Sequence, residues 1–286
     1  MMTDRTKQLI IVRGGGDIAT GTIHRLHRCG YPVLILETGF PSAIRRCVSF
    51  SEAVYDGSSE VEGVTCVKVS SYEEACSIMG QGAVPVMIDE ECQVLQKVRP
   101  WAVVDAILAK RNLGTSRDMA DKTIGLGPGF TAGQDVDLVI ETMRGHNLGR
   151  IIGNGSAEPN TGIPGIVGGF GEQRVIRSPA KGIFFGKAMI GDMVEKGQPI
   201  GTVVTGQGEV AVEASLTGLL RGIIKDGFPV VKGFKTADID PRKSEYENCF
   251  TISDKARCIA GGVLEAILWL EQRNLGQEPE KSEDRI

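Results

Sequence analysis

The chain has 286 residues, enough for one large domain or two of ordinary size. Hydrophobic residues make up 41% and charged residues 24%, a balance that excludes extended disorder. The net charge of −4 argues against a general nucleic-acid-binding protein. Glycine is the unusual component, because its 38 copies are roughly twice the usual share of about 7%.

The charge is unevenly distributed along the chain. Residues 1–50 carry a net charge of +4, so the remaining 236 residues carry −8. This asymmetry suits a small anionic ligand better than a polymer. The seven cysteines form no C-x-x-C pair, so neither a disulfide framework nor a metal site is expected. Neither a signal peptide nor an apolar stretch of about 18 residues is evident, so we expect a cytoplasmic protein with no membrane contact.

The first part of the chain predicts strands that alternate with helices. Strands are expected at Gln8–Arg13, Pro32–Glu37, Val64–Val69, Val84–Asp89 and Trp101–Leu108. Helices are expected at Asp17–Cys29, after the capping box Ser71–Glu74, and at Glu90–Val98. Apolar strands in such an alternation indicate an α/β fold with a mostly parallel, Rossmann-like sheet.

A dinucleotide fingerprint lies between the first strand and the first helix. Gly14, Gly16 and Ala19 fit the pattern G-x-G-x-x-G/A, with Gly15 and Asp17 inside it. Glycines there let the backbone approach a phosphate, and the helix start supplies free N–H groups. Glu37 ends the second strand 21 residues after Gly16, where an acid would hold a ribose hydroxyl. The alternative is a glycine turn that serves the fold alone.

Arg45 and Arg46 follow the second strand and form a candidate anion clamp. Two solvated arginines are the alternative. Cys47 beside them is a candidate nucleophile or chalcogen carrier if its pKa is lowered, although a plain packed cysteine is the favoured interpretation.

The second part of the chain, about 113–172, is rich in glycine. Its loop Gly125–Phe130 contains Gly127 and Gly129 and is a candidate anion-binding nest or a simple turn. Strands are expected at Val136–Thr142 and Arg150–Gly153. Glu141 and His146 lie between them and are candidates for proton transfer, with a structural ion-pair network as the alternative. The sequence assigns no catalytic residue.

The third part contains an internal repeat at an offset of 36 residues. Five identities recur, at Gly182, Gly191, Val194, Lys196 and Gly197 and again at Gly218, Gly227, Val230, Lys232 and Gly233. Two interlocked hairpin units that form a small β-sandwich are therefore expected. A helix capped by Ser253 is expected from Asp254 to about Arg273.

This repeat region resembles the biotinyl/lipoyl barrel-sandwich hybrid fold, through Ser178–Gly182, Gly191–Gly197 and Glu213–Gly218. That family attaches its cofactor to a lysine in a hairpin turn, but the corresponding turn here, Glu213–Leu216, has none. The resemblance implies the fold without the swinging arm. The expected organisation is a nucleotide-binding domain with a glycine-rich extension (1–172), a barrel-sandwich hybrid domain (173–242), a C-terminal helix (243–274) and a flexible tail (275–286).

The whole chain resembles the YqeB-type accessory proteins of selenium-dependent molybdenum hydroxylases. The resemblance rests on several motifs in order: Arg13–Gly21, Ala43–Arg46, Phe50–Val54, Gly125–Phe130, Val139–Thr142, Gly145–Arg150 and Ile239–Arg242. It implies a role in maturing a molybdenum hydroxylase, through its cofactor or its labile selenium.

These observations leave three hypotheses. The first is an accessory protein that binds a molybdopterin-type cofactor or another nucleotide-like ligand and has the hydroxylase as its partner. The second is an NAD-dependent oxidoreductase with an NAD-like dinucleotide, in which Glu37 disfavours NADP. The third is a non-catalytic assembly scaffold. A homo-oligomer is the common arrangement for such proteins.

Overall fold

The computed structural model describes residues 7–162 and 165–275. Its largest unit is a nine-stranded sheet with strands at β1 (Ile10–Arg13), β2 (Val33–Glu37), β3 (Ser58–Val61), β4 (Val64–Val69), β5 (Val84–Ile88), β6 (Ala102–Asp105), β7 (Thr123–Leu126), β8 (Leu138–Ile140) and β9 (Ile151–Ile152). The strand order is β3-β4-β5-β2-β1-β6-β7-β8-β9. The seven central strands are parallel, and the edge strands β3 and β9 pair antiparallel. The sheet is therefore mixed, as part of an α/β fold.

Four helices accompany these strands: α1 (Asp17–Arg28), α2 (Ala53–Asp56), α3 (Tyr72–Gly80) and α4 (Asp254–Leu275). The apolar runs of the parallel strands are buried on both faces of the sheet, with α1 and α4 over one face and α3 over the other. Ser71 caps α3 by accepting from the Glu74 backbone N–H, and Ser253 caps α4 by accepting from Ala256. Both predicted caps are confirmed.

Three sequence-based predictions in this unit are wrong in extent. The strand expected at Val136–Thr142 is shorter, because β8 covers only Leu138–Ile140. Glu90–Val98 contains only a short 3₁₀ turn at Gln93–Gln96. Strand β6 ends at Asp105 rather than Leu108, because Leu108 has a φ of +60°, which an extended strand does not allow.

The third part of the chain forms two four-stranded antiparallel sheets. Their strands are β10 (Val175–Arg177), β11 (Gly182–Gly186), β12 (Met193–Val194), β13 (Pro199–Thr205), β14 (Gly208–Glu213), β15 (Gly218–Ile223), β16 (Pro229–Val230) and β17 (Lys235–Asp240). The sheet orders are β10-β17-β15-β12 and β14-β13-β11-β16.

The predicted interlocking of the two repeats is confirmed by the strand pairing. Gly182 of the first repeat pairs with Val230 of the second, and Gly218 pairs with Val194 at the equivalent positions. Each sheet thus takes its short strand from the other repeat, and the two sheets enclose one apolar core that includes Phe184. We call this unit the β-sandwich; its identity as a barrel-sandwich hybrid stays a prediction.

Helix α4 follows the β-sandwich in the chain but packs on the large sheet. Ile259, Val263 and Ile267 are fully buried in the core that α1 shares with the parallel strands. In the chain, the β-sandwich is therefore inserted between the strands of the large sheet and α4, the helix that covers the same sheet together with α1. Of the predicted tail 275–286, only Leu275 falls within the described residues.

Candidate functional site

The glycine turn between β1 and α1 contains two glycines that packing requires. Gly14 has a φ of +94°, and a Cβ atom there would lie 3.1 Å from the Ala106 carbonyl oxygen. A Cβ at Gly15 would lie 3.0 Å from the Ser51 backbone nitrogen. A side chain at either position would press against neighbouring backbone. The turn therefore packs tightly against the loop after β6 and the segment around Ser51.

Gly16 differs from both. Its φ is −66°, and no atom lies within 4 Å of where its Cβ would be. Neither backbone strain nor packing within the chain therefore requires glycine there. Gly16 is also the N-cap of α1, and no side chain caps this helix. The first turn of α1 consequently presents its N–H groups to open space, which is the arrangement that binds anions.

The fingerprint residues around this turn have distinct surroundings. Ala19 is buried in the core, while Asp17 opens the helix and is 35% exposed. The Glu37 carboxylate accepts from the Gly15 N–H at 2.7 Å and from its own neighbour Thr38 at 2.8 Å. Burial raises the pKa of Glu37. Glu37 therefore lies directly at the turn, where a ribose was predicted, although its contact with a ribose stays a prediction.

A cleft of about 430 Å³ opens beside Gly16, between the carboxyl ends of the parallel strands and the β-sandwich. We call it the phosphate cleft. Its charged lining has five cations and three acids: Arg45, Arg144, Arg221, Lys235, Lys255, Asp17, Glu37 and Asp238. From β1 the chain continues to β2 on one side of the sheet, and it later returns to β6 on the other side of β1. Open α/β sheets bind their ligands at such a switch in strand order.

Arg45 and Arg46 do not act together. Arg45 lines the phosphate cleft and is buried, donating to the Asn248 carbonyl at 2.8 Å and the Thr251 carbonyl at 3.0 Å, while its Nε atom has no partner. Arg46 points to the β-sandwich and Glu52, donating to the Ile223 carbonyl at 2.9 Å. The predicted two-arginine clamp is therefore divided, with only Arg45 at the cleft.

Two cations of the cleft come from the β-sandwich, and sequence reasoning missed both. Arg221 on β15 lies 3.9 Å from Asp238, and its buried Nε atom has no partner. Lys235, at the start of β17, makes no side-chain hydrogen bond or ion pair with any residue in the described ranges. One signal was present, because Arg221 interrupts the apolar run Gly218–Ile223.

The second glycine loop serves the fold. The Gly127 N–H donates to the Ile140 carbonyl at 2.9 Å, so it is not free for an anion. Gly129 has a φ of +114°, and a Cβ there would lie 2.6 Å from the Arg111 backbone. These contacts favour the turn over the nest.

Glu141 and His146 are placed differently from one another. The buried Glu141 carboxylate accepts from three backbone N–H groups, those of Thr142, Met143 and Glu158, at 2.7–2.8 Å. His146 is exposed on the loop before β9. The Glu141 contacts order two loops, and proton transfer by this pair stays a prediction.

Cys47 is exposed as a residue, but its thiol is not activated. Burial of its sulfur raises its pKa despite the neighbouring Arg46. Within the described residues, no group of three or more His, Cys, Asp or Glu side chains is arranged to hold a metal. Among the described helices, none combines the length and apolar character needed to cross a membrane.

Comparison with known proteins gives one sequence relative of high identity. The chain is 50% identical over 263 residues to the uncharacterized protein YqeB of Escherichia coli (strain K12), which supports a YqeB-type family. The match covers 92% of the chain and 48% of the relative, so the chain spans about half the length of the relative it matches. No protein-family model matches the chain.

Solved structures give only distant likenesses. An aspartoacylase family protein from Mesorhizobium loti is 10% identical, with 83% of this chain and 86% of that chain covered and a TM-score of 0.27. The product-bound ectoine utilization protein EutE (DoeB) from Ruegeria pomeroyi is 14% identical, with 80% and 56% covered and a TM-score of 0.23. TM-scores this low establish neither a shared overall fold nor shared chemistry.

Proposed function

We propose that this protein is an accessory protein for the maturation of a selenium-dependent molybdenum hydroxylase, and that it binds a nucleotide or molybdopterin-type cofactor in the phosphate cleft. The resemblance to YqeB-type accessory proteins supports the maturation role. The geometry of the cleft supports the binding role. In this proposal the large sheet is Rossmann-like, with β5-β2-β1-β6-β7-β8 as its doubly wound core.

The observation that carries the binding role is the open space at Gly16. Glycine lets a ligand approach the backbone, and neither backbone strain nor packing requires it at Gly16, where it also suits the N-cap of α1. The uncapped N–H groups of α1 then supply the donors for a phosphate, and the helix dipole favours its negative charge.

The side chains around the cleft fit such a phosphate. The Nε atoms of Arg45 and Arg221 are buried without a hydrogen-bond partner, which is costly unless a further group satisfies them. The ammonium group of Lys235 is likewise unpaired among the described residues. Arg221 and Lys235 bind and orient the phosphate from the β-sandwich side, and Arg45 does so from the loop after β2.

An NAD-dependent oxidoreductase is a second candidate, and one observation favours it. Glu37 lies at the glycine turn, where an acid binds a ribose and repels a 2′-phosphate. Turnover of free NADH with a small substrate would favour this candidate over the accessory role.

The binding role is tested by titrating ADP into the wild type and into Gly16→Val in a calorimeter. The valine side chain fills open space in the cleft but is a poorer N-cap than glycine, so we expect a folded protein that is about 1 kcal/mol less stable and has at least a hundredfold lower ADP affinity. Gly80→Val is the matched control, because its missing Cβ also meets no atom within 4 Å and it lies outside the cleft. Equal ADP affinity in wild type and Gly16→Val would contradict the binding role.

The maturation role is tested separately in cells. A strain without this protein should make the hydroxylase polypeptide but leave it inactive. Full hydroxylase activity in that strain would contradict the role.

A further inference from the structure

A second cavity, of about 610 Å³, lies beside the phosphate cleft at the carboxyl ends of β7 and β8. We call it the apolar cavity. Leu108, Leu126, Pro128, Met143 and Ile166 form most of its apolar lining. Ile166 is 79% exposed, so a large apolar side chain stands in water at this cavity. The lining also contains the charged side chains Lys110, Arg144, Glu158 and Lys255. A mainly apolar concavity with a small number of polar groups is the common form of a site for a small organic molecule.

Lys255 is the cation of this cavity that lacks a partner. It lies in the first turn of α4, is half-buried, and makes no hydrogen bond or ion pair with any residue within 7–162 and 165–275. Burial lowers the pKa of Lys255 and the nearby charge of Arg144 lowers it further, which outweighs the opposite effect of the more weakly coupled carboxylates of Asp17, Glu141 and Asp254. A partly desolvated ammonium group without an acceptor is stabilised by an anion.

The other two cations of the cavity are already paired. Arg144 donates to both carboxylate oxygens of Asp254, at 2.8 and 3.0 Å. With the Asn160 amide oriented to satisfy its neighbours, the Asn160 oxygen accepts from Lys110 at 2.9 Å. Only Lys255 is therefore left to meet an incoming acid group.

The backbone beneath the cavity is held in an unfavourable conformation. Leu108 and Lys110 have φ values of +60° and +64°, which cost energy for residues other than glycine. Such residues cluster where a fold positions groups for a ligand. Here they bring Leu108 and Lys110 to the cavity from the loop after β6.

We propose that the apolar cavity binds a second small molecule, an organic anion with an apolar ring system, and that Lys255 is the counter-ion of its acid group. The apolar part of this molecule lies outside the phosphate cleft, because Leu126, Met143 and Ile166 line the apolar cavity and not the cleft. Lys255 borders both, so the acid group of this molecule lies at the boundary, near the ligand of the cleft. The inference does not depend on which phosphate compound the cleft binds.

Two fluorescent probes with the same ring system test this proposal. 1-Anilinonaphthalene-8-sulfonate carries an acid group, and N-phenyl-1-naphthylamine lacks it. We expect Lys255→Gln to weaken sulfonate binding about tenfold, Lys255→Arg to restore it, and neither to change binding of the neutral probe by more than twofold. Lys235→Gln, which changes a lysine of the phosphate cleft alone, is the matched control and should leave both probes unaffected.

Further variants locate the binding site. Ile166→Asp should weaken both probes, because it places a charge beside the apolar cavity without altering the core. Phe185 belongs to a different exposed apolar patch, on β11 of the β-sandwich, and is 43% exposed. Loss of sulfonate binding in Phe185→Ser with retention in Lys255→Gln would overturn the proposal.

Two further measurements distinguish a failure of this inference from a failure of the proposed function. Gly16→Val should keep sulfonate affinity even where it loses ADP. Wild type saturated with ADP should still bind the sulfonate probe with an affinity within about threefold. Complete displacement of the probe by ADP would show one continuous site and would contradict a second molecule.

Discussion

At the scale of single residues, the glycine turn shows how one motif serves two purposes. Gly14 and Gly15 are fixed by backbone that lies about 3 Å from their missing side chains, whereas Gly16 meets nothing. The sequence pattern treats all three alike, since it records only that glycine is present. The structure separates the two glycines whose missing side chains face close backbone from Gly16, where there is open space for the proposed ligand.

Asp254 supplies a prediction at this scale. Its bidentate pair with Arg144 lowers its pKa to about 2. A carboxyl whose pKa falls on folding stabilises the protein above its unfolded pKa, and that contribution is lost as the pH falls through the folded value. Because the Asp254 side chain is 75% exposed, we expect Asp254→Asn to cost about 0.5–1 kcal/mol at pH 7.

Urea unfolding of Asp254→Asn and wild type between pH 7 and pH 2 checks this. The difference in stability should shrink below about pH 4 and be nearly absent at pH 2. In an Arg144→Gln background, Asp254→Asn should add little further loss. A difference that is the same at every pH would contradict the assigned ion pair.

At the scale of elements, α4 is held against the large sheet by close backbone approach. A Cβ at Gly262 would overlap the Gly149 carbonyl oxygen, and a Cβ at Gly21 of α1 would lie 2.8 Å from the Cβ of Ala256. Small residues at these crossings let α4 reach the core that it shares with α1. The position of Lys255 and Ser253 at the two cavities depends on this packing.

Neighbouring glycines of α4 provide a matched test. Gly262→Ala should lower the free energy of unfolding by about 1–3 kcal/mol, because backbone must move to admit the methyl group. Gly261→Ala meets only the flexible end of Arg25 and gains helix propensity, so its stability should be equal or higher. Equal effects of the two substitutions, measured by urea denaturation, would contradict this packing.

The elements that could be predicted from the sequence are those whose own residues determine the local backbone conformation. The glycine turn, the capped starts of α3 and α4 and the interlocked repeats all have residues that determine backbone locally. Leu108 was misassigned because an apolar run does not reveal a positive φ. Arg221 and Lys235 could not be placed at the cleft, because their position depends on how the β-sandwich meets the sheet, which no local pattern encodes.

At the scale of the whole molecule, the large sheet and the β-sandwich are joined by backbone and charge. The Ile223 N–H donates to the Ile44 carbonyl at 2.9 Å, and Lys225 pairs with Asp56 and lies near Glu52. In addition, α4 follows the β-sandwich in the chain and packs on the large sheet. Unfolding of one unit is therefore expected to disrupt contacts of the other. The phosphate cleft needs both, because its cations come from both.

We therefore expect the two units to unfold in one transition. The two tryptophans of the chain, Trp101 and Trp269, both belong to the large-sheet unit, so their fluorescence reports on it. Far-ultraviolet circular dichroism reports on the whole chain. The two urea transitions should coincide; a fluorescence midpoint clearly separated from the dichroism midpoint would contradict the single unit.

We propose above that the cleft at Gly16 holds a phosphate-bearing small molecule. Native mass spectrometry of wild type and Gly16→Val, purified gently from the protein's own cells, tests it most directly. We expect a bound small molecule on the wild type that is absent from Gly16→Val, and its mass would distinguish a pterin from a dinucleotide. Wild type without any adduct, under conditions that preserve a control dinucleotide complex, would contradict the claim and favour an assembly scaffold.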